Sequence, residues 1–236
     1  MQLHFLGYGS AFRPEWGNTS AFCAEEGRLL LLDCGETVFS RLKQSGLLAD
    51  APQVYAAISH LHGDHCGSLG TLALYCYFVL RRPMILVVPD AGEEAYIRQL
   101  RGLMDTFGVY PEYYTVLADQ ELTGFMSFRR FRYVRTEHDP KMTCFSFALD
   151  TPEGGVFYSA DSATTTALEA FLREHPAPEA LYMESTLQTG TVHLPLERLA
   201  EVIPPRLRGI THLMHLSDER LFTAGAALGF RIEKAE

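Results

Sequence analysis

The chain has 236 residues, of which 47% are hydrophobic and 21% are charged, and this ordinary globular composition suits one domain over residues 1–236 with its own core. No apolar run reaches the roughly 20 residues that a membrane-spanning helix needs, so no membrane partner is expected. The formal net charge of −9 disfavours a protein that binds long nucleic acids through a basic surface.

Apolar runs and turn residues predict alternating strands and helices along the first half of the chain. The first apolar strand, Leu3–Leu6, has no basic leader before it, so we expect no export signal and a cytoplasmic protein. The other strands are short apolar runs bounded by Gly or Pro, and the helices show helical spacing. The predicted strands are Ser20–Ala24, Arg28–Asp33, Val54–Ser59 and Met84–Val88, and the helices are Glu36–Gln44, Gly67–Leu80 and Ala91–Arg101.

The second half continues in the same style without repeating the sequence. Pro152 and the glycines after it predict a turn that joins two strands into a hairpin. Strands at the centre of each half with helices outside predict an α+β fold, a four-layer αββα sandwich of two mixed β-sheets. The strands are Ser127–Val134, Thr143–Leu149, Val156–Ser159, Ala180–Glu184 and Ile210–His215, and the helices are Thr165–Arg173 and Pro195–Val202.

A dense cluster of potential metal ligands follows one of the predicted buried strands. His60, His62, Asp64 and His65 lie within six positions, on a tight loop that Gly63 opens. Neutral imidazoles and carboxylates bind zinc and similar divalent ions, and burying them without a partner would be costly. The HxHxDH spacing therefore predicts a metal site. Cys66 is a further possible ligand, although a free cysteine more often packs as a small buried hydrophobe.

With this motif the chain resembles the metallo-β-lactamase superfamily, whose αββα sandwich holds two metal ions at the edges of its sheets. The downstream pattern of that family, a lone His, a metal-bridging Asp and a final His, maps to His138, Asp161 and His215. Two divalent ions are thus implied, with zinc as the first choice and manganese or iron as alternatives. The resemblance implies that His60, His62 and His138 bind the first metal, that Asp64, His65 and His215 bind the second, and that Asp161 bridges them.

Two of the mapped ligands have a rival close by in the sequence. Asp139 could replace His138, and His212 could replace His215. Residues three apart on a strand point to opposite faces, so His212 and His215 cannot share one role. The sequence leaves both alternatives open.

Within the superfamily the chain is most similar to the ribonuclease Z branch, the tRNA 3′-end endonucleases. The segments Phe5–Ala11 and Leu32–Glu36 resemble motifs of that branch, as does the Glu-Ser-Thr segment that begins at Glu184. His193 falls where the branch has a further histidine. By this resemblance Glu184 and His193 form a relay that delivers a proton to the leaving oxygen, and Asp64 orients the attacking hydroxide that the two metals hold between them.

The chain departs from ribonuclease Z in one informative way. The branch carries a long tRNA-binding arm between the lone His and the bridging Asp, whereas here only residues 139–160 separate His138 from Asp161. An arm is therefore absent, and with the acidic charge this favours a small phosphodiester substrate over long nucleic acid. Armless relatives include small-molecule phosphodiesterases, among them enzymes that open cyclic nucleotides and a phage-encoded group that defeats cyclic-nucleotide defence signalling.

Three other functions remain possible on the same residues. The site could hydrolyse a carboxylic ester, thioester or lactone, or it could cut RNA as ribonuclease Z does. A merely structural metal site is the third, and a His/Asp ligand set without Cys argues against it. Tyr8, Trp16 and Tyr110 are candidate pocket residues that the sequence does not rank.

The segment Leu72–Leu80 is unusually aromatic and predicts either a plain core helix or a subunit interface. The ribonuclease Z branch usually dimerises, so we expect a homodimer.

Overall fold

The computed structural model describes residues 1–90, 92–124 and 126–233, and within these ranges the chain forms two six-stranded sheets. In the first sheet the strands lie side by side in chain order. Its first three strands are antiparallel, and from the third strand onward the pairs are parallel. The strands are β1 (His4–Gly7), β2 (Ser20–Glu25), β3 (Arg28–Leu32), β4 (Gln53–Ala57), β5 (Met84–Val88) and β6 (Tyr114–Ala118).

The second sheet also mixes antiparallel and parallel pairs. Its first three strands form an antiparallel meander, and its last three continue in parallel. The strands are β7 (Arg130–Thr136), β8 (Cys144–Asp150), β9 (Val156–Tyr158), β10 (Ala180–Glu184), β11 (Thr211–Met214) and β12 (Arg231–Ile232).

Helices connect the strands and cover the outer faces of the sheets. Among the described residues, none of these helices is both long and apolar enough to cross a membrane. A π-helical segment, Cys76–Leu80, follows the fourth helix directly. The helices are α1 (Val38–Ser45), α2 (Leu47–Asp50), α3 (Gly63–Cys66), α4 (Leu69–Tyr75), α5 (Glu94–Thr106), α6 (Thr166–Glu174), α7 (Leu196–Val202), α8 (Pro205–Arg208) and α9 (Arg220–Ala227).

The alternation of side chains along β3 shows how the layers pack. Leu29 and Leu31 point into a core that the first sheet shares with α1, α4 and α5. Leu30 and Leu32 point the other way, into a core between the two sheets that also holds Phe147 from the second sheet. A third core lies between the second sheet and α6, α7 and α9. Strands buried on both faces read as continuous apolar runs, as β3 does.

This architecture confirms the predicted αββα sandwich of two mixed sheets. The sequence did not predict the strands β6 and β12 or the helices α2, α8 and α9, and β6 is a partly exposed edge strand. The single predicted helix Gly67–Leu80 is instead α4 followed by the π-helical segment. The predicted helix Ala91–Arg101 is α5, which extends to Thr106, and Ala91 and the last domain residues 234–236 lie outside the described part of the chain.

The carboxyl ends of several strands meet where the two sheets abut. The segment after β4 bonds to the second sheet, since Phe145 N donates to the Ser59 carbonyl at 3.1 Å. The segment after β11 bonds to the loop after β1, where Leu216 N donates to the Tyr8 carbonyl at 2.8 Å. The fold thus brings loops from both halves of the chain to one place.

Candidate metal centre

Four of the predicted ligands form one compact group at this junction. The ligand atoms of His60, His62, His138 and Asp161 lie within 4.8 Å of one another. His62 Nδ1 is 3.0 Å from His60 Nε2 and 3.3 Å from His138 Nε2. Asp161 Oδ2 is 3.5 Å from His138 Nε2. Three imidazole nitrogens and one carboxylate oxygen therefore converge on one point.

The remaining predicted ligands form a second group around the same aspartate. Asp64, His65, Asp161 and His215 also have ligand atoms within 4.8 Å of one another. Asp64 Oδ2 lies 3.2 Å from His215 Nε2 and 3.4 Å from His65 Nε2. Asp161 Oδ1 lies 3.3 Å from the same nitrogen of each histidine. The fold thus assembles all seven predicted ligands into two adjoining groups.

Asp161 belongs to both groups because its two oxygens point in different directions. Oδ2 faces the first group and Oδ1 faces the second. Asp161 Oδ1 and His65 Nε2 are buried and have no hydrogen-bond partner among the described residues. Buried polar atoms are almost always paired, so these two orphaned atoms fit a cation that lies between the carboxylate and the rings.

The charge of the buried carboxylates is a second indication that this junction binds cations. Asp33, Asp64, Asp161 and Glu184 are all buried within this junction. Buried carboxylates need a compensating positive charge. Divalent cations are often the largest local charges in such a site. The donor set therefore fits two divalent ions in both its chemistry and its charge.

Asp33 and Ser59 hold two of the rings from behind. His65 Nδ1 donates to Asp33 Oδ2 at 2.9 Å, and His60 Nδ1 lies 3.0 Å from Ser59 Oγ. Asp33 also accepts from Ser59 N at 2.7 Å and from Ser59 Oγ at 2.9 Å. A carboxylate on the remote nitrogen fixes the tautomer and orientation of a metal-binding histidine. The motif Leu32–Glu36 contains Asp33, but the motif alone does not indicate this role.

Two further rings have partners near the surface. His138 Nδ1 donates to the Val192 carbonyl at 2.8 Å, which leaves Nε2 unprotonated toward the first group. Asp139 Oδ2 lies 3.6 Å from His62 Nε2, on the side of the ring that faces away from the other ligands. Asp139 is thus a neighbour of His62 and lies outside both groups of described His and Asp atoms.

His212, the rival of His215, lies apart from both groups. Its ring stacks near Tyr182 with centroids 4.9 Å apart, and its Nδ1 bonds to Glu233. His215 follows the strand in a left-handed conformation, with φ of 55°. Asp33 and Ala160, which flank other parts of the centre, have φ of 68° and 47°. Such strained backbone is common where a structure must aim functional side chains.

The buried carboxylates and rings shift one another's pKa. Burial lowers the pKa of His60. Burial opposes a charge on His65, but Asp161 and Asp33 hold its pKa well above the usual value. Burial would raise the pKa of Asp161, yet His215 and His65 hold it well below its usual range. The centre therefore favours anionic carboxylates, which are the form that binds cations.

Glu184 and His193 form a pair at the edge of the centre. His193 Nδ1 donates to Glu184 Oε2 at 2.8 Å, and Glu184 Oε1 accepts from Ser162 N at 2.5 Å. Burial of the ring works against a charge on His193, but the bond to Glu184 raises its pKa to about 9. Atoms of both residues also lie within 4.8 Å of Asp161 and His215. This pair is thus close enough to the centre to act on a molecule bound there.

A cavity of about 470 Å³ opens in front of the two groups, which is within the usual range for a small-molecule site. The candidate pocket residues of the sequence analysis do not line it: Tyr8 stacks on Trp16 with centroids 5.7 Å apart, and Tyr110 lies elsewhere. Phe12, which the sequence did not indicate as a pocket residue, lines the cavity instead. Besides the ligands, the lining includes Ser10, Phe12, Gln188, Thr191, Val192, His193 and Ser217.

Comparison with known proteins yields a family and a fold. The family model described as "Anti-Pycsar protein Apyc1" matches residues 1–231. The Apyc1 protein of Paenibacillus harenae is 30% identical over 229 residues, which cover 92% of this chain and 90% of that protein. The Apyc1 protein of Bacillus phage 010DV004 is 30% identical over 255 residues, with 99% and 96% covered.

Among solved structures, the chain is similar to the metallo-β-lactamase fold protein YhfI from Bacillus subtilis. The TM-score is 0.70 at 19% identity, and the match covers 99% of this chain and 96% of that chain. A likeness at this identity shows the fold alone. It confirms the predicted metallo-β-lactamase fold.

Proposed function

Since the chain belongs to the family of the anti-Pycsar protein Apyc1, we propose that its cavity takes a cyclic nucleotide and that the residues of the metal centre promote hydrolysis of its phosphodiester. The family match confirms the predicted class, a metal-dependent phosphodiesterase that acts on cyclic nucleotides. The observation that carries the proposal is the pair of His/Asp groups that share Asp161 at the base of one cavity.

In this proposal the two groups are two cation sites. One ion would be held by His60, His62 and His138, the other by Asp64, His65 and His215, and Asp161 would contribute to both. Zinc is the first choice, because imidazole and carboxylate are its usual ligands at hydrolytic sites, and manganese and iron accept the same donors. When bound, the ions supply positive charge to phosphoryl oxygens and make water a better nucleophile.

The side chains around the ions have separate roles in the reaction. Asp64 lines the cavity and orients the attacking water toward phosphorus. The Glu184 carboxylate holds His193 Nδ1, which leaves the Nε2–H of the protonated ring to give its proton to the departing sugar oxygen as the P–O bond breaks. Water adds its oxygen and one proton to the phosphate, its other proton replaces the one that His193 gave up, and a cyclic mononucleotide becomes a linear phosphomonoester.

The proposed substrate is small because the described residues between His138 and Asp161 leave no room for an RNA-binding arm. Residues 139–160 consist of the hairpin strands β8 and β9 with short connections, so the segment that carries the tRNA-binding arm in ribonuclease Z is taken up by the sheet. A net charge of −9 would also oppose binding to many phosphates. Cyclic nucleotide signals are intracellular, so the proposal places the protein in the cytoplasm.

We also propose that the protein is a homodimer that associates through an aromatic patch, defined as Tyr77, Phe78, Val79 and Tyr113. Phe78 and Val79 belong to the π-helical segment and are 48% and 58% exposed. The Tyr77 ring lies 5.0 Å from Phe78 and 4.6 Å from Tyr113, centroid to centroid. Exposed aromatic clusters are typical of protein interfaces.

A panel of substrates tests the proposed activity. Purified enzyme is assayed with cyclic mononucleotides, cyclic dinucleotides, bis-p-nitrophenyl phosphate, a lactone panel and a precursor tRNA at one metal and salt concentration. We expect kcat/KM for a cyclic nucleotide to exceed every other value. Efficient lactone hydrolysis with inert nucleotides would instead support the esterase alternative, and site-specific tRNA cleavage would support the ribonuclease Z alternative.

A further inference from the structure

Phe12 is the most exposed of the large hydrophobic side chains that the structure describes. Its side chain is 93% exposed, whereas nine of the other thirteen phenylalanines that the structure describes are buried. Burial of a Phe side chain stabilises a fold, and Phe12 gains almost none of this stabilisation. A molecule other than the chain itself could cover this ring.

The backbone beside Phe12 is held in place on both sides. Ser10 N donates to the Leu216 carbonyl at 3.1 Å, and Arg13 N donates to the Ser10 carbonyl at 3.0 Å. Arg13 Nε donates to the Ser217 carbonyl at 3.0 Å, and its guanidinium lies 4.8 Å from the centre of the Trp16 ring. The loop is thereby tied to the segment that follows His215. Phe12 is therefore exposed on a turn that hydrogen bonds hold in place.

Phe12 shares its cavity with the metal centre. Asp64, Asp161 and Phe12 all line it. The two carboxylates are buried and Phe12 is highly exposed, so the carboxylates lie inside the cavity and Phe12 lies at its mouth. Val192, which is 40% exposed, lines the same cavity, and its carbonyl is tied to His138 Nδ1. The cavity therefore has polar, cation-binding groups inside and apolar side chains at its entrance.

The geometry points to Phe12 as the surface on which the base of a cyclic nucleotide stacks while its phosphate faces the metal centre. This inference rests on the proposed function and adds the orientation of the substrate to it. A nucleotide has one anionic end and one flat aromatic end, and the cavity has the matching arrangement. An aromatic side chain stacks on any base because every base has a π-face.

Stacking on Phe12 should affect substrate affinity and leave the chemical step unchanged. Phe12 lies away from the reacting bonds, so its ring should stabilise the bound substrate and the transition state equally. Loss of such uniform binding raises KM and leaves kcat unchanged. The Phe12 ring should lower KM only for substrates that carry a base.

The test compares Phe12→Ala, Phe12→Tyr and wild type, with Tyr110→Ala as the matched control. Tyr110 is an aromatic residue that is 52% exposed and does not line the cavity. The substrates are cAMP, cUMP and a base-free analogue, methyl riboside 3′,5′-cyclic phosphate. For Phe12→Ala we expect KM for cAMP to rise about 5- to 30-fold with kcat within about twofold of wild type. Phe12→Tyr and Tyr110→Ala should keep the wild-type KM.

The base-free analogue decides between stacking and a distorted site. Its KM should be the same for Phe12→Ala and wild type. A KM for cAMP that Phe12→Ala leaves unchanged, or an equal rise in KM for cAMP and the base-free analogue, overturns the inference while leaving the phosphodiesterase function intact. Wild-type enzyme that cleaves no cyclic nucleotide overturns the proposed function itself, and this inference with it. A thermal melt of Phe12→Ala that matches wild type shows that the loop still folds.

Discussion

Inside the cavity the rings of His60, His65 and His138 are each held by a hydrogen bond at the nitrogen that faces away from the metal centre, whereas at the mouth Phe12 projects from its loop with no such support. Side chains that bind cations need a fixed geometry. Each of these rings is fixed both by its position in the fold and by the hydrogen bond at its remote nitrogen. The mouth needs only to offer a face to a ligand. We therefore expect substitutions inside to abolish metal binding or chemistry, and substitutions at the mouth to change affinity.

The strongest test of this contrast is Asp161→Ala, because Asp161 contributes to both groups. We expect both ions to be lost or severely weakened and kcat to fall at least about 10⁴-fold, since metal and nucleophile are lost together. Elemental analysis and turnover measure the effect. Asp50→Ala, at an exposed helix end, is the control and should keep about two ions per chain. An Asp161→Ala enzyme with full metal content would remove Asp161 from the ligand set.

The next largest effect is expected for His193→Ala. If His193 gives a proton and binds no ion, the variant should keep its metal while kcat falls about 10²- to 10⁴-fold. The loss should shrink for a substrate such as bis-p-nitrophenyl phosphate, whose leaving group needs no proton. Metal content equal to that of Asp161→Ala would place His193 among the ligands, which its distance from Asp161 and His215 allows.

Asp33→Asn tests the support behind His65. Asparagine keeps the size of the side chain but removes the charge that accepts the Nδ1 proton of His65. Loss of such a partner typically weakens metal affinity about 10- to 100-fold. Competition with a chelator measures the affinity directly, with no need for an activity assay. If the metal affinity of Asp33→Asn matches that of wild type, the Asp33–His65 hydrogen bond supports the fold and does not contribute to metal binding.

The smallest effect on hydrolysis is expected at the aromatic patch. Phe78→Glu places a charge on the proposed interface, so light scattering at micromolar concentration should report a monomer where wild type is a dimer. Metal content and kcat should stay near wild type, because none of the patch residues lines the cavity. A wild-type protein that is already a 26.4 kDa species would contradict the dimer.

Much of the architecture was predictable because its signals are local. Strand β3 reads as four consecutive leucines, a pattern typical of a strand with both faces covered, and it packs into two cores as expected. Strand β6 was missed because it is a half-exposed edge strand. The π-helical break after α4 was missed as well, since its residues carry the same helical pattern as α4 itself.

The sequence by itself determined the clustered HxHxDH motif, because those residues lie close together in the chain, and this motif carries the resemblance to metallo-β-lactamase-fold phosphodiesterases. Only the tertiary structure decided between His138 and Asp139 as members of the first group, and between His215 and His212 in the second. It also brought Asp33 behind His65 and placed Phe12, rather than Tyr8, Trp16 or Tyr110, at the cavity. The reason is physical: these relations join residues far apart in the chain, and their distances depend on how the two sheets pack.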